Sequence, residues 1–394
     1  MRHAILALMS VVALVVTGCT ATVQGAAVKA TGGPAGPTLN LDQLDAGRFP
    51  TAPRNPLGVA GDPLLGAVLE GQRLADHVVG PWEVDSALTG SFGFGAVVLP
   101  RPEALALIGP MNLAAAAGRH DFVTGFASVR TEKNRRVLLN AVLRFADDGA
   151  AQAAATDLSD AAAQQQGAGP APKLEIPGHP DAWATSYTGA DREIGQFGAA
   201  RSFTAHGPYV LMQQAQATAG VEAAAQLVAK TIEVQAPEID KFRATDVSEL
   251  ADISIDPTGL LARTIPLDGQ DMTFTKPATY EQRGALHFQS DPARSAKLFS
   301  ATGVDLVSMA GSTVYQTSDA DGAKGVVDEF YAEVSPTAQP ANPVPNMPDS
   351  RCLRMSEGGF YCVATADRYT IETSAPTLLA TQQMTAAQYI MLMS

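Results

Sequence analysis

One pattern occurs twice in this chain, and a chain built by repetition is confined to folds that repeat. Residues 142–158 (VLRFADDGAAQAAATDL) and 314–334 (VYQTSDADGAKGVVDEFYAEV) each run from a strand-like stretch, through an Asp-Gly-Ala start, into an alanine-rich or amphipathic helix. A loop poor in regular structure follows both, at 164–172 (QQQGAGPAP) and at 335–348, which holds five prolines. Pro180-Asp181-Ala182-Trp183 is then matched by Pro348-Asp349-Ser350-Arg351. A hairpin comes next, 201–213 around His206-Gly207-Pro208 against 361–372 around Ala366-Asp367-Arg368. Each copy closes on a helix, 220–234 and 378–393. A fainter echo upstream sets Glu70-Gly71-Gln72-Arg73 against Tyr280-Glu281-Gln282-Arg283. The offset between copies shrinks along the chain, which deletions in the second copy explain.

The expected fold is α+β, two similar antiparallel-sheet units of β-α-β-β(-β)-α order with helices packed on one face, related by internal duplication. Asp256-Pro257-Thr258-Gly259 reads as a turn, so the units are expected at 41–255, including a linker, and at 256–394. Pro237, Pro257 and Pro266 are expected to interrupt any long helix between them. This acidic segment is either a hinge or a strap across both units.

The start of the chain bears on location. Met1-Arg2-His3 precedes an apolar run over 4–16 and then Val16-Thr17-Gly18-Cys19. The run is too short to span a bilayer and fits a signal h-region, and the residues before Cys19 form a lipobox. Residues 1–18 are expected to be removed, leaving Cys19 to carry a diacylglyceryl thioether and palmitate, since stable anchoring takes more than one acyl chain. Residues 19–40, rich in Ala, Thr, Gly and Pro, read as a flexible tether of about 25 Å r.m.s. reach. The remaining chain is too long for one core. Its formal charge of −13, which loses only Arg2 with the signal, argues against nucleic acid and anionic lipid surfaces as partners. The membrane is reached through the lipid anchor.

With Cys19 lipidated, Cys352 and Cys362 remain as an even pair in an oxidising compartment and are expected to be bridged. Residues 351–355 and 360–364 read as two strands around Ser356-Glu357-Gly358-Gly359, which places the cysteines opposite each other.

The search for chemistry is mostly negative. Gly90-Ser91-Phe92-Gly93-Phe94-Gly95 is neither a nucleophile elbow nor a P-loop and reads as a turn or bulge. His77, His120, His179, His206 and His287 lack metal-ligand spacing and read as scattered surface or cap residues. Asp319-Ala320-Asp321-Gly322 resembles part of a calcium loop, but position one is Thr317 and position twelve Asp328, so helix capping explains it better. Asp147-Asp148-Gly149 does the same in the first copy. In the last helix Ala380, Met384, Ala387 and Met391 form an apolar stripe, read as core with a Met-lined groove as the alternative. Trp82, Trp183 and Tyr187 read as packing aromatics. No cofactor, metal ligand or catalytic residue is expected.

The lipobox, residues 41–51 (LDQLDAGRFPT), 69–75 (LEGQRLA), 256–263 (DPTGLLAR) and 284–289 (GALHFQ) together are similar to an actinobacterial, mycobacteria-like cell-envelope lipoprotein family classed as a domain of unknown function. The resemblance implies export and anchoring at the outer face of the cytoplasmic membrane, and no reaction. The functional expectation is non-catalytic binding of a small envelope ligand or protein partner in or near the cleft between units. A structural scaffold and an envelope hydrolase are the alternatives. A deep pocket with convergent polar groups favours a ligand, a broad apolar patch a partner, and clustered perturbed titratable groups an enzyme. Cys19→Ser is expected to abolish lipid modification; acyl mass retained on the variant by mass spectrometry contradicts the lipobox reading.

Overall fold

The computed structural model describes residues 39–164 and 171–394, so residues 1–18, Cys19 and most of the tether lie outside the described residues. In the first copy α1 (Pro63–Leu74) and α2 (Pro81–Val84) lead to β1 (Gly90–Val98), α3 (Asn112–Ala117), β2 (Phe122–Glu132) and β3 (Arg136–Phe145). Then come α4 (Asp148–Gln164), β4 (Lys173–Ile176), β5 (His179–Asp191), β6 (Gly195–His206), β7 (Tyr209–Ala217) and α5 (Val221–Ile239). The second copy runs β8 (Ala278–Glu281), α6 (Gln282–Leu286), α7 (Pro292–Thr302), β9 (Leu306–Met309) and β10 (Thr313–Gln316). It ends with α8 (Ala320–Val334), β11 (Ala338–Ala341), β12 (Arg351–Met355), β13 (Phe360–Ala366), β14 (Tyr369–Ala375) and α9 (Leu378–Met393).

Each copy forms a seven-stranded antiparallel sheet, ordered β1-β2-β3-β7-β6-β5-β4 and, strand for strand alike, β8-β9-β10-β14-β13-β12-β11. The closing hairpins align residue by residue. His206 pairs with Tyr209 as Ala366 pairs with Tyr369, and counting back, Phe203 opposite Met212 corresponds to Val363 opposite Glu372. Cys352 and Cys362 are directly opposed on β12 and β13 and joined by a disulfide. Ala184 and Ser202 fill the same paired position in the first copy.

Helices cover both faces of each sheet, which corrects the expectation of one face. Alternation along β3 sends Leu138 and Val142 into the core under α5, and Leu139, Ala141 and Leu143 into a separate core under α3 and α4. In the second copy Val363 and Tyr361 pack with Val327 of α8, while Ile371 on the opposite face packs with Leu392 of α9. Three further expectations change. The loop expected over 335–348 contains strand β11, whereas β4 begins only after the loop expected over 164–172. Helix α5 runs past Pro237, which sits near its C-terminal end. The echo of 70–73 in 280–283 is false, because the first lies in α1, which has no counterpart in the second copy, and the second lies in β8 and α6.

The helix starts follow their caps. Asp62 accepts hydrogen bonds from the Leu64 and Leu65 amides, Asp291 from Arg294, Asp319 from Gly322 and Thr377 from Ala380; Pro63 and Pro292 add a first-turn proline. Such caps contribute roughly 1 kcal/mol each. Asp147 plays the same part in the first copy, its carboxylate accepting from the Ala150 amide at 2.8 Å. The Met stripe of α9 is covered by the chain itself, with Ala46 and Phe49 packed beside Met384, Ala387 and Met391. Residues 41–50, expected to open the first unit, therefore rest on the last helix of the second.

A buried glutamine clasps each copy together. Gln235 on α5 accepts from the Val79 amide (2.8 Å) and Asn140 Nδ2 (2.7 Å) and donates to the His77 carbonyl (2.9 Å). Gln388 on α9 accepts from the Ile265 amide (2.8 Å) and Ser312 Oγ (2.6 Å) and donates to the Arg263 carbonyl (2.8 Å). Both side chains have no exposure to solvent. The pattern identifies 77–79 with 263–265, an equivalence the sequence comparison missed. Gln388→Leu leaves an amide, a hydroxyl and a carbonyl unpaired in the core, and is expected to destabilise by about 2–4 kcal/mol. Chemical denaturation reads this; a loss under about 0.5 kcal/mol shows the clasp to be dispensable.

Candidate functional site

The cleft expected between the copies is a packed junction. One hydrophobic cluster runs through both sheets, including Phe126, Leu138 and Val228 of the first copy and Tyr280, Phe299 and Val307 of the second. His287, expected at the surface, is fully buried there, edge-on to Trp82 and Phe126. Its Nε2 faces the carbonyls of Ala75 and Val78, which only accept, so Nε2 carries the proton and Nδ1 accepts from Ser128 Oγ at 2.9 Å. Burial holds its pKa down at about 3. Arg130 donates across the junction to the carbonyls of His287 and Gln289, both at 2.8 Å. Asp76 accepts from the Gly284 amide at 2.6 Å, and a Cβ at Gly284 would fall 2.6 Å from the same carboxylate oxygen, so only glycine admits the contact. Burial pushes the Asp76 carboxyl up to about 7. A recess of about 250 Å³ remains at the edge of the junction, between Arg73, Lys241, Thr279 and Glu281.

A pocket of about 390 Å³ lies instead within the second copy. Period-two alternation turns Tyr315, Tyr361 and Glu372 to one face of the sheet, and Glu372 stands between Val363 and Thr313 on the neighbouring strands. Helix α8 contributes Phe330 and Glu333, and the segment after α6 contributes Phe288 and Gln289. Tyr315 donates to Glu372 Oε2 at 2.7 Å. The Tyr361 hydroxyl is buried beside the same carboxylate and makes no regular hydrogen bond. Desolvation raises the Glu372 pKa, and the two phenols and Lys276 oppose that rise. Both phenols are held well above their ordinary range by burial and by Glu372. No ion pair involves Glu372 among the described residues, whereas Glu333 is engaged by Ser290 Oγ and lies 4.0 Å from Arg294.

Chemically, the pocket is an aromatic enclosure with an acidic floor, suited to a cationic guest. The perturbed titratable cluster that marks an enzyme is present as Glu372, Tyr315 and Tyr361. Of the lining hydroxyls, Ser312 is committed to Gln388 and Ser290 donates to Glu333, and no histidine is among the lining residues.

The other singled-out residues lie apart from this pocket. His120 and His206 bond Asp157 and Asp240 (2.8 and 2.7 Å), His77 lies 3.8 Å from Glu238, and His179 faces the Ala229 carbonyl. Trp183 is partly exposed, and Tyr187 packs on Phe197 and Arg201. Residues 91–96 form the expected bulge in β1. Among the described residues, no group of three or more His, Cys, Asp or Glu could hold a metal, and no helix is long and apolar enough to cross a membrane. Neither Glu372 nor Tyr361 was singled out from sequence; the signal available was a lone glutamate in the strand Tyr369-Thr370-Ile371-Glu372.

Two α+β copies, each built on a seven-stranded antiparallel sheet, define the class. The chain belongs to the DUF7373 family, a domain of unknown function, whose N-terminal model matches residues 57–255 and C-terminal model residues 260–394. No curated protein matches it. Among solved structures it is similar to the extracellular domain of PknH from Mycobacterium tuberculosis, at 14% identity over 42% of this chain and 95% of that one, with a TM-score of 0.28. A likeness that low carries no argument about this chain.

The junction generates a pH signature. Asp76, raised from 3.8, contributes stability that is full below about pH 4 and lost as pH rises through 7. His287, depressed from 6.5, contributes stability that is full above about pH 6.5 and lost as pH falls toward 3. The two slopes oppose each other between about pH 4 and 6.5. Asp76→Asn is therefore expected to leave a protein that weakens toward acid, and His287→Gln one that weakens toward neutrality, each by up to about 1.4 kcal/mol per pH unit. Urea midpoints across pH 4–7 check this, and parallel curves for both variants contradict it.

Proposed function

We propose that this protein is an envelope lipoprotein, anchored through Cys19, whose second copy binds a small ligand bearing an ammonium group. The observation that carries the reading is Glu372, a carboxylate without an ion-pair partner among the described residues, enclosed by Tyr315, Tyr361, Phe288 and Phe330. A desolvated negative charge ringed by aromatic faces favours an organic cation over a neutral molecule of the same shape. Lys276 also lines the pocket. It offers a contact for a carboxylate carried beside the ammonium. The lipobox and the apolar run over 4–16 support the anchoring. The filled junction moves the expected ligand from the cleft between copies to the sheet of one copy.

Phenethylamine and 2-phenylethanol, alike in shape and unlike in charge, are suitable probes. Calorimetric titration of the soluble head is expected to show the cation binding at least about tenfold more tightly, about 1.4 kcal/mol. Glu372→Gln removes the difference. Binding of the cation should also weaken as pH falls through the raised titration of Glu372, because protonation discharges the floor. Equal affinity for the two probes, or preference retained in Glu372→Gln, overturns the reading.

A further inference from the structure

The same place in the first copy is also a pocket, with the opposite charge. From the hairpin register, Arg201 takes the position of Tyr361 and Met212 that of Glu372. About 300 Å³ of space opens beside Arg201, walled by Phe92, Phe94, Ile108, Val129 and Leu139, with Leu107 exposed at its edge. Arg201 is 5% exposed. Its Nε and Nη2 both donate to Gln214 Oε1 (2.9 and 2.5 Å), its plane lies 5.4 Å from the Tyr187 ring, and Nη1 has no partner. No carboxylate pairs with it among the described residues, and residues 1–38 and 165–170 contain neither Asp nor Glu that could. A guanidinium this deeply buried without a counter-ion is costly, and an anion is the partner that relieves it.

We propose that this pocket binds the carboxylate of a small amphipathic acid, its head on Arg201 and its apolar body along the phenylalanine-rich wall. Guanidinium geometry suits a carboxylate, which can take Nη1 while Gln214 keeps the other edge. The lip is the β1 bulge. Gly93 and Gly95 have φ of +52° and +70°, and a Cβ at either would meet nothing within 4 Å, so the backbone carrying Phe92 and Phe94 is not packed against at these two positions. Nη1 is closed to solvent, so binding of the acid requires the pocket wall to move. The site is independent of the pocket around Glu372.

Octanoate and octan-1-ol test the proposal on the full soluble head, read by calorimetry and by the side-chain Nε–Hε resonance of Arg201. Octanoate is expected to bind at least tenfold more tightly than the alcohol and to shift that resonance in the wild type. Arg201→Met should bind both alike, and Phe92→Ala should weaken both without changing their ratio. Glu372→Gln should leave octanoate binding unchanged. Equal binding of the two probes, no binding of octanoate up to millimolar concentration, or an unmoved Arg201 resonance overturns the proposal. Should Arg201→Met not fold, the wild-type resonance and the octanoate-to-octanol ratio decide it.

Discussion

The buried glutamine in each closing helix is the interaction on which the rest depends. A seven-stranded sheet needs its central strands held against a helix, and α5 and α9 do this from the far end of the sequence, after the strands they cover. Gln235 and Gln388 fix those helices in register by engaging, at once, a side chain in or just before a central strand (Asn140 on β3, Ser312 before β10) and a backbone amide in the segment leading to the sheet. Apolar packing alone is non-directional and would tolerate a helix slid by a turn. Asn140 extends the first clasp to Gln213 on β7 and to the Val79 carbonyl, so a chain of amides crosses the sheet centre without an exposed atom.

With the scaffold fixed, the face opposite the clasp is free to vary. There the two copies carry the same strands and the same alternation, yet one presents Glu372 and Tyr361 and the other Met212 and Arg201. Among the described residues neither of these buried groups takes part in an ion pair, although Lys276 lines the Glu372 pocket. Structural ion pairs arise where stability is served; lone buried charges on matching sites, one of each sign, point to ligands.

The duplication and the order of its elements were legible because strand, cap and helix signals recur in one sequence, and the hairpin positions even align residue by residue. The covering of both sheet faces was not read, although a signal for it stands in Val137-Leu138-Leu139-Asn140-Ala141-Val142-Leu143, which is largely apolar at odd and even positions alike. What misled was similarity without context. Glu70 looked like part of a repeat, but it is buried in an ion pair with Arg144 that belongs to α1 alone. His287 looked like a surface residue because nothing in its neighbours on the chain announces Trp82 and Phe126, more than 150 residues away. The pocket was hidden for the same reason, since Tyr315, Tyr361 and Glu372 converge only when β10, β13 and β14 lie side by side.

The junction joins unlike surfaces: Trp82 and Arg130 of one copy meet His287 and Gln289 of the other. Such a contact is heterologous, and between separate molecules it would propagate head to tail unless its rotation closed a ring. Joining the copies in one chain satisfies the contact once and ends it there. Helix α1, which has no equivalent in the second copy, lies in that contact and ties it by hydrogen bonds from Gln72 to the Phe274 and Pro277 carbonyls, so the junction has a component that only one copy can supply.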